Sequence, residues 1–158
     1  MVPPQAVDEP TTYSSLRLQS TLHLIGNQAY TKVIASPPPC ARELIEIDNT
    51  LERWRAGLPV WFELHGHPID RYPWLPFAVR KLHWRYSNLR IIFNRRPFLE
   101  RALRNQPLDM PTEGALGVEF EEQICAATCL RSASDSIWSI YAFFSQRPAS
   151  ALEWWYGL

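Results

Sequence analysis

Four groups of residues in this 158-residue chain are of a type and spacing that could do chemistry. His65 and His67 flank Gly66, with Asp70 three residues further on. Two imidazoles at i and i+2 can share a metal, but a structural zinc site takes four ligands and a catalytic one usually three. A solvated turn ahead of Pro68 is the simpler reading. Cys125 and Cys129 stand one helical turn apart, so both thiols can face the same way. Only Cys40 could join them, so small thiols packed on a buried helix face are expected rather than a metal centre. Glu119, Glu121 and Glu122 could supply a carboxylate pair for acid–base work. They also sit where acids in early helical turns favour the helix dipole, and that reading takes precedence.

The fourth group is the most substantial. Arg80, Lys81, Arg85, Arg90, Arg95 and Arg96 interleave with Trp84, Tyr86 and Phe93 over residues 74–104. Such a mixture can hold phosphate and stack bases. The apolar residues recur at helical spacing, however, so one side of this segment must be buried. Net charge is zero, but it is unevenly spread. Residues 1–70 hold five Lys/Arg against eight Asp/Glu, residues 71–106 nine against one, and residues 107–158 two against seven. The acidic flanks are natural counter-charges, and structural pairing is expected over direct nucleic-acid contact. The phosphate-binding loop, the dinucleotide glycine motif, G-x-S-x-G and H-E-x-x-H are all missing from the sequence, and no catalytic role is assigned.

The elements that carry these groups read as helices. Val2 to Thr12, with three prolines, is an extended lead-in. Tyr13, Leu16, Thr21/Leu22, Ile25, Ala29, Tyr30, Val33 and Ile34 then recur at helical spacing behind an N-cap at Thr11 or Thr12. Pro37-Pro38-Pro39 stops that helix. Leu44, Ile47, Leu51, Trp54 and Leu58, spaced 3, 4, 3 and 4, make a second and cleaner amphipathic helix that Gly57 and Pro59 end. Val60 to Pro73 is a loop. A third helix runs from about Trp74, with Phe77/Ala78, Leu82, Tyr86, Leu89, Ile92 and Phe93 inward, and Pro97 must end or kink it. After a turn-rich stretch from Asn105 to Pro111, Thr112 can cap a fourth helix. Its apolar positions are Leu116, Phe120, Ile124, Ala127, Leu130, Ile137, Tyr141 and Phe144. Pro148 opens a last segment ending on Trp154-Trp155-Tyr156-Gly157-Leu158. No strand pattern is present. The expected fold is therefore an all-α bundle of about four to five amphipathic helices. Three unpaired-looking cysteines and the lack of a signal peptide or an apolar run of membrane length point to a reducing interior and no membrane partner.

Several stretches, in order, carry a family likeness. Residues 4–20 are followed by Asn27-Gln28-Ala29-Tyr30 and Ile34-Ala35-Ser36-Pro37. Leu51-Glu52-Arg53-Trp54, running on to Leu58-Pro59, fits an "L-E-x-W-x-x-x-L-P" element. The stretch from Ala78-Val79-Arg80-Lys81-Leu82 through Ile92, leading into Arg96-Pro97-Phe98, is the most family-like. Ile124-Cys125-Ala126-Ala127 and Trp155-Tyr156-Gly157-Leu158 fall where "I-C-x-x-A" and "W-Y-x-L" are expected. Together they resemble the fungal-specific regulatory region, the middle homology region, of zinc binuclear-cluster transcription regulators of the galactose-activator and xylanolytic-activator type. Arg95-Arg96-Pro97 stands where the family has "F-R-P". The family's six-cysteine, two-zinc DNA-binding cluster and the Arg-Arg and Phe-Trp signature helix of its regulatory region have no counterpart here. The resemblance implies that residues 13–158 are the C-terminal portion of that region, truncated at both ends, within a larger helical domain.

It further implies a nuclear, non-enzymatic regulator. Zinc and promoter DNA would be bound only through the missing domain, and this chain would hold no cofactor. Protein co-regulators, and a dimer, are the other expected partners. The expected interaction surface is an inter-helix groove at Trp61, Trp74, Arg80, Trp84, Arg85 and Arg90. The rival readings are a free-standing helical protein-interaction module, a nucleic-acid binder using the basic helix 74–104, and a small metal-dependent enzyme around His65 and His67.

Overall fold

A computed structural model of the chain describes residues 9–64, 71–108 and 117–145. Within them the chain forms four α-helices, α1 (Thr12–Val33), α2 (Ala41–Ala56), α3 (Leu75–Leu103) and α4 (Val118–Ser145), with one 3₁₀ turn at Val60–Phe62 and no strand. The expected all-α bundle is what these residues adopt. No helix among them is long and apolar enough to cross a membrane.

The helix starts are set by short side chains. Thr11 Oγ1 accepts the Ser14 N–H at 3.0 Å, and the Thr11 N–H reaches back to Ser14 Oγ at 3.4 Å, a reciprocal box that satisfies two orphan donors of α1. Cys40 begins α2, where its N–H is taken by Glu43 Oε2 at 2.8 Å. The end of α2 is closed by the Gly57 N–H, which donates to Arg53 O and Trp54 O. At the end of α3 Asn105 takes the left-handed conformation, φ 53°, and the Gln106 N–H returns to Arg101 O at 3.0 Å. Asparagine tolerates that conformation better than most residues, which suits it to ending a helix. The start of α4 at Val118, behind Gly117 at φ 69°, falls later than a cap at Thr112 would place it. Thr112 itself lies outside the described residues.

α3 is the spine, packing against α1, α2 and α4. Leu75, Val79, Leu82, Tyr86 and Phe93 from α3 meet Leu22 of α1, Leu44, Ile47 and Leu51 of α2, Phe62 of the 3₁₀ turn and Cys125 of α4 in one core. The loop expected after Pro59 thus begins with an anchor, because Phe62 is fully buried. α3 also runs through Pro97, which sits buried inside the helix instead of ending it. Proline there leaves Phe93 O without its usual i→i+4 donor. The helix nevertheless continues for six more residues to Leu103.

On two helices only part of the apolar pattern faces inward: Leu22, Ile25, Ala29 and Val33 of α1 and Ala127 of α4 do. On α1, Tyr13, Leu16, Tyr30 and Ile34 are exposed, while Ser15, Leu22, Gly26 and Ala29 are buried. A Cβ at Gly26 would lie 3.1 Å from both terminal carbons of Leu89, so the small residue sets how closely α1 approaches α3. On α4 the inward row is Cys125, Cys129, Ser132, Ser136, Ser139 and Phe143, spaced 4, 3, 4, 3 and 4. Leu130, Ile137 and Tyr141 point outward. Small side chains let two backbones pack closely, and that close fit outweighs the larger apolar residues on the other faces.

Candidate functional site

The charged residues of α3 are directed at three different neighbours. Toward α2, Arg90 grips Asp48 in a two-pronged pair, Nε to Oδ1 and Nη2 to Oδ2, both at 2.7 Å. Its Nη1 lies 2.7 Å from Glu52 Oε1 and donates to Tyr86 Oη at 3.1 Å, and Tyr86 Oη donates to the same Glu52 oxygen at 2.6 Å. The Tyr86 ring stacks on Trp54 at 6.1 Å between centroids. Toward α1, Arg85 Nη1 reaches Gln19 Oε1 and His23 Nε2, both at 3.1 Å. Toward α4, Arg80 Nη1 and Trp84 Nε1 both donate to Ser139 Oγ, at 3.2 and 3.0 Å. Arg101, only 1% exposed, donates to Pro107 O at 3.0 Å and Glu119 O at 3.5 Å, tying the end of α3 to the start of α4.

Protonation follows from these contacts. Burial disfavours the charge of Glu52, but the hydrogen bonds from Tyr86 and Arg55 and the charge of Arg90 outweigh it and hold the carboxyl below its ordinary range. Burial, with the hydrogen bond to Glu52, pushes the Tyr86 phenol well above its ordinary value. Burial also disfavours charge on Arg90, yet its pairing with Asp48 prevails and keeps it charged. Glu52 is therefore held as the acceptor of the Tyr86 and Arg55 hydrogen bonds.

Beside this network, between α2, α3 and α4, lies a half-enclosed cavity of about 240 Å³. Thr128, Ser132, Ser136 and Ser139 of α4 line one wall, His83, Trp84, Tyr86 and Arg90 of α3 another, and Glu52 and Arg55 of α2 a third, with Arg131 and Asp135 also lining it. His83 Nε2 donates to Phe62 O at 2.9 Å, which fixes the ring against the 3₁₀ turn. Ser139 Oγ already accepts two N–H bonds, so its own O–H is left to donate. Ser136 Oγ is shielded from solvent and has no hydrogen-bond partner among the described residues. The cavity thus offers hydroxyl groups and an indole edge to a small polar guest or to water. A larger hollow of about 920 Å³, between the Pro37–Pro39 turn and α2, is an open furrow lined by Lys32, Glu43, Glu46 and Arg53 among others.

The six residues expected to form one interaction surface are divided. Trp84 borders the cavity and packs among Phe77, Phe143 and Phe144. Trp61 and Trp74 instead flank Tyr72, at 5.8 and 6.5 Å between centroids. Arg80, Arg85 and Arg90 face α4, α1 and α2 in turn. Of the basic segment, Arg90 pairs with the acids of α2 and Arg104 with Glu122 of α4 at 4.0 Å, while Arg42 of α2 separately meets Glu121 of α4 at 3.2 Å.

Cys125 and Cys129 are buried, with Sγ atoms 3.6 Å from Ala41 O and 3.7 Å from Ile91 O. Burial, reinforced by the charge of Asp48, pushes the Cys125 thiol up to about 12, and burial alone raises Cys129. Among the described residues no three His, Cys, Asp or Glu gather as a metal site would need. His65, His67 and Asp70 lie outside those residues, as does the aromatic segment 154–158.

Sequence reasoning missed Asp48 and Glu52 as the partners of Arg90, and the Ser132, Ser136, Ser139 row. The row had a signal, since it continues the Cys125–Cys129 spacing along one face. Against this geometry, no protein-family model, no curated protein and no solved structure matches the chain.

Proposed function

We propose that this chain is a helical regulatory segment of a fungal zinc-cluster transcription regulator, acting by holding helices and partner proteins in place and not by catalysis. One observation carries the reading. Three of the stretches on which the resemblance rests, 51–59, 78–92 and 124–127, converge on the same core. Glu52 of the first bonds Tyr86 and Arg90 of the second, and Cys125 of the third is buried in the same cluster. Segments of one regulatory domain that pack on each other would have to converge in this way. Zinc and promoter DNA would then belong to a cysteine-rich element outside this sequence, and the site of action would be the nucleus.

The engagement of Arg80, Arg85, Arg90 and Arg101 with neighbouring helices disfavours direct nucleic-acid binding by α3. A free-standing protein-interaction module is the second reading, favoured by the apolar row that α4 turns outward. Tethering the chain to a promoter through an unrelated DNA-binding domain tests the first reading. Reporter output changes severalfold with the intact chain and returns to the tether-only level with Arg90→Met. Equal output with and without the chain contradicts it.

A further inference from the structure

The charges on two walls of the cavity between α2, α3 and α4 are already paired. Arg90 is committed to Asp48 and Glu52, and Arg55 Nε donates to Glu52 Oε2 at 2.9 Å. The α4 wall differs. Arg131 and Asp135 both line the cavity, and neither makes a hydrogen bond or an ion pair with any described residue. Opposite charges one helical turn apart can pair, yet these two stand open to the cavity instead. Next to them Ser136 Oγ is shielded from solvent and equally unpartnered among the described residues. Shielded hydroxyls are almost always hydrogen-bonded, so an orphan in the wall of a cavity marks a place for a guest's polar group.

We propose that this wall binds a free α-amino acid as its zwitterion. The pair of unmatched charges selects the guest. A simple anion would be drawn to Arg131 but repelled by Asp135, and a simple cation the reverse. A guest that carries both charges on one carbon leaves neither opposed. Its carboxylate accepts the fork of the Arg131 guanidinium, and its ammonium donates to Asp135. One step about χ1 brings Ser136 Oγ to the ammonium as a second acceptor. Arg131 and Asp135 lie about 6 Å apart along the helix, a gap that both side chains close by reaching toward the guest. Leu64 and Trp84 also line the cavity and give the amino-acid side chain an apolar wall.

The size agrees. A volume of about 240 Å³ is roughly eight times the share of one water molecule in the liquid, room for a guest of about nine heavy atoms such as methionine. Arg131 and Asp135 are themselves exposed, so water screens both contacts and the expected Kd is on the order of 1 mM. None of these residues carries the regulatory reading, and binding is read on the chain without a promoter, so either can fail alone.

A chemical-shift titration of the intact, ¹⁵N-labelled chain with L-methionine up to about 20 mM reads binding at this affinity. The shifts saturate and concentrate on residues 131–139 and the Trp84 indole N–H. N-acetyl-methionine lacks the ammonium and methioninamide lacks the carboxylate, and each binds at least ~10-fold more weakly, as the loss of a charge-assisted bond requires. Arg131→Met and Asp135→Asn, both at exposed positions, melt as the parent does and each weaken methionine at least ~10-fold. The absence of saturable shifts with methionine overturns the proposal, as does binding indifferent to both substitutions. Methioninamide or N-acetyl-methionine binding as well as methionine overturns it too, and acetate doing so would leave a site for simple anions only.

Discussion

α3 and α4 are almost equal in length, 29 and 28 residues, yet they exchange the roles their compositions suggest. α3 carries seven Lys or Arg and lies at the centre of the bundle. α4 is poorer in charge, yet it lies to one side and turns Ile137, Trp138 and Tyr141 to solvent. The difference shows what decides burial here. A charged helix can be central when each buried cation has an acid, an amide or a carbonyl waiting for it, and Arg90, Arg85 and Arg101 do. An apolar face stays outside when the opposite face has the small residues that fit the neighbour.

The largest way to break this comparison is a cavity in the spine. Phe93→Ala removes a fully buried ring and is expected to lower stability by about 4 kcal/mol, while Trp138→Ala changes it by less than about 0.5 kcal/mol. Urea unfolding of both variants checks the contrast, and equal losses would place the two helices on the same footing. Next comes charge. Arg90→Met strands Asp48 and removes the charge partner of Glu52, and is expected to cost about 3 kcal/mol, against a negligible change for Arg95→Met at an exposed position.

Acid sharpens the same point with a smaller effect. The pKa of Glu52 is lowered by folding, so its contribution is fully present above the ordinary glutamate value and is lost as pH falls through the folded-state value. Thermal melts from pH 7 down to pH 3 should show Tyr86→Phe losing less stability on acidification than the parent, because a hydrogen bond to the carboxylate is already gone. Identical pH profiles would mean that Glu52 is not held by this network. The smallest effect is on reactivity. At pH 8 a thiol reagent labels the exposed Cys40 in the folded chain, and labels Cys125 and Cys129 as well only in denaturant.

Much of this architecture was legible in the residues. α2 was read closely, because its 3, 4, 3, 4 stripe is also the face that packs, and Leu44, Ile47 and Leu51 are buried. The basic segment flanked by acids was legible as a pairing arrangement. The identity of the pairs was not, because whether Arg90 meets Asp48 or Glu46 depends on the rotation of α2 about its axis, which composition does not set. The faces of α1 and α4 were legible in part: Leu22, Ala29, Ala127 and the thiols of Cys125 and Cys129 are buried as expected, while Tyr13, Leu16, Tyr30, Ile137 and Tyr141 are not. Gly26 and the serines of α4 carry little hydrophobic weight in a sequence pattern, yet Gly26 sits against Leu89 and Ser139 against Arg80 and Trp84 of α3. The cavity was illegible for the same reason, since serines on a helix read as surface residues. The expected single groove at Trp61, Trp74 and Trp84 divides because Trp61 and Trp74 both pack on Tyr72, while Trp84 packs on Phe143 and Phe144 of α4.

Native-state hydrogen exchange on the intact chain tests the central claim, that the basic helix is the structural spine and the outer half of α4 a free surface. Amides of residues 79–94 should exchange only through global unfolding, while those of residues 137–145 exchange through smaller local openings. Amides of α3 that exchange as readily as those at the end of α4 would contradict the account, and would return the arginines of α3 to the solvent.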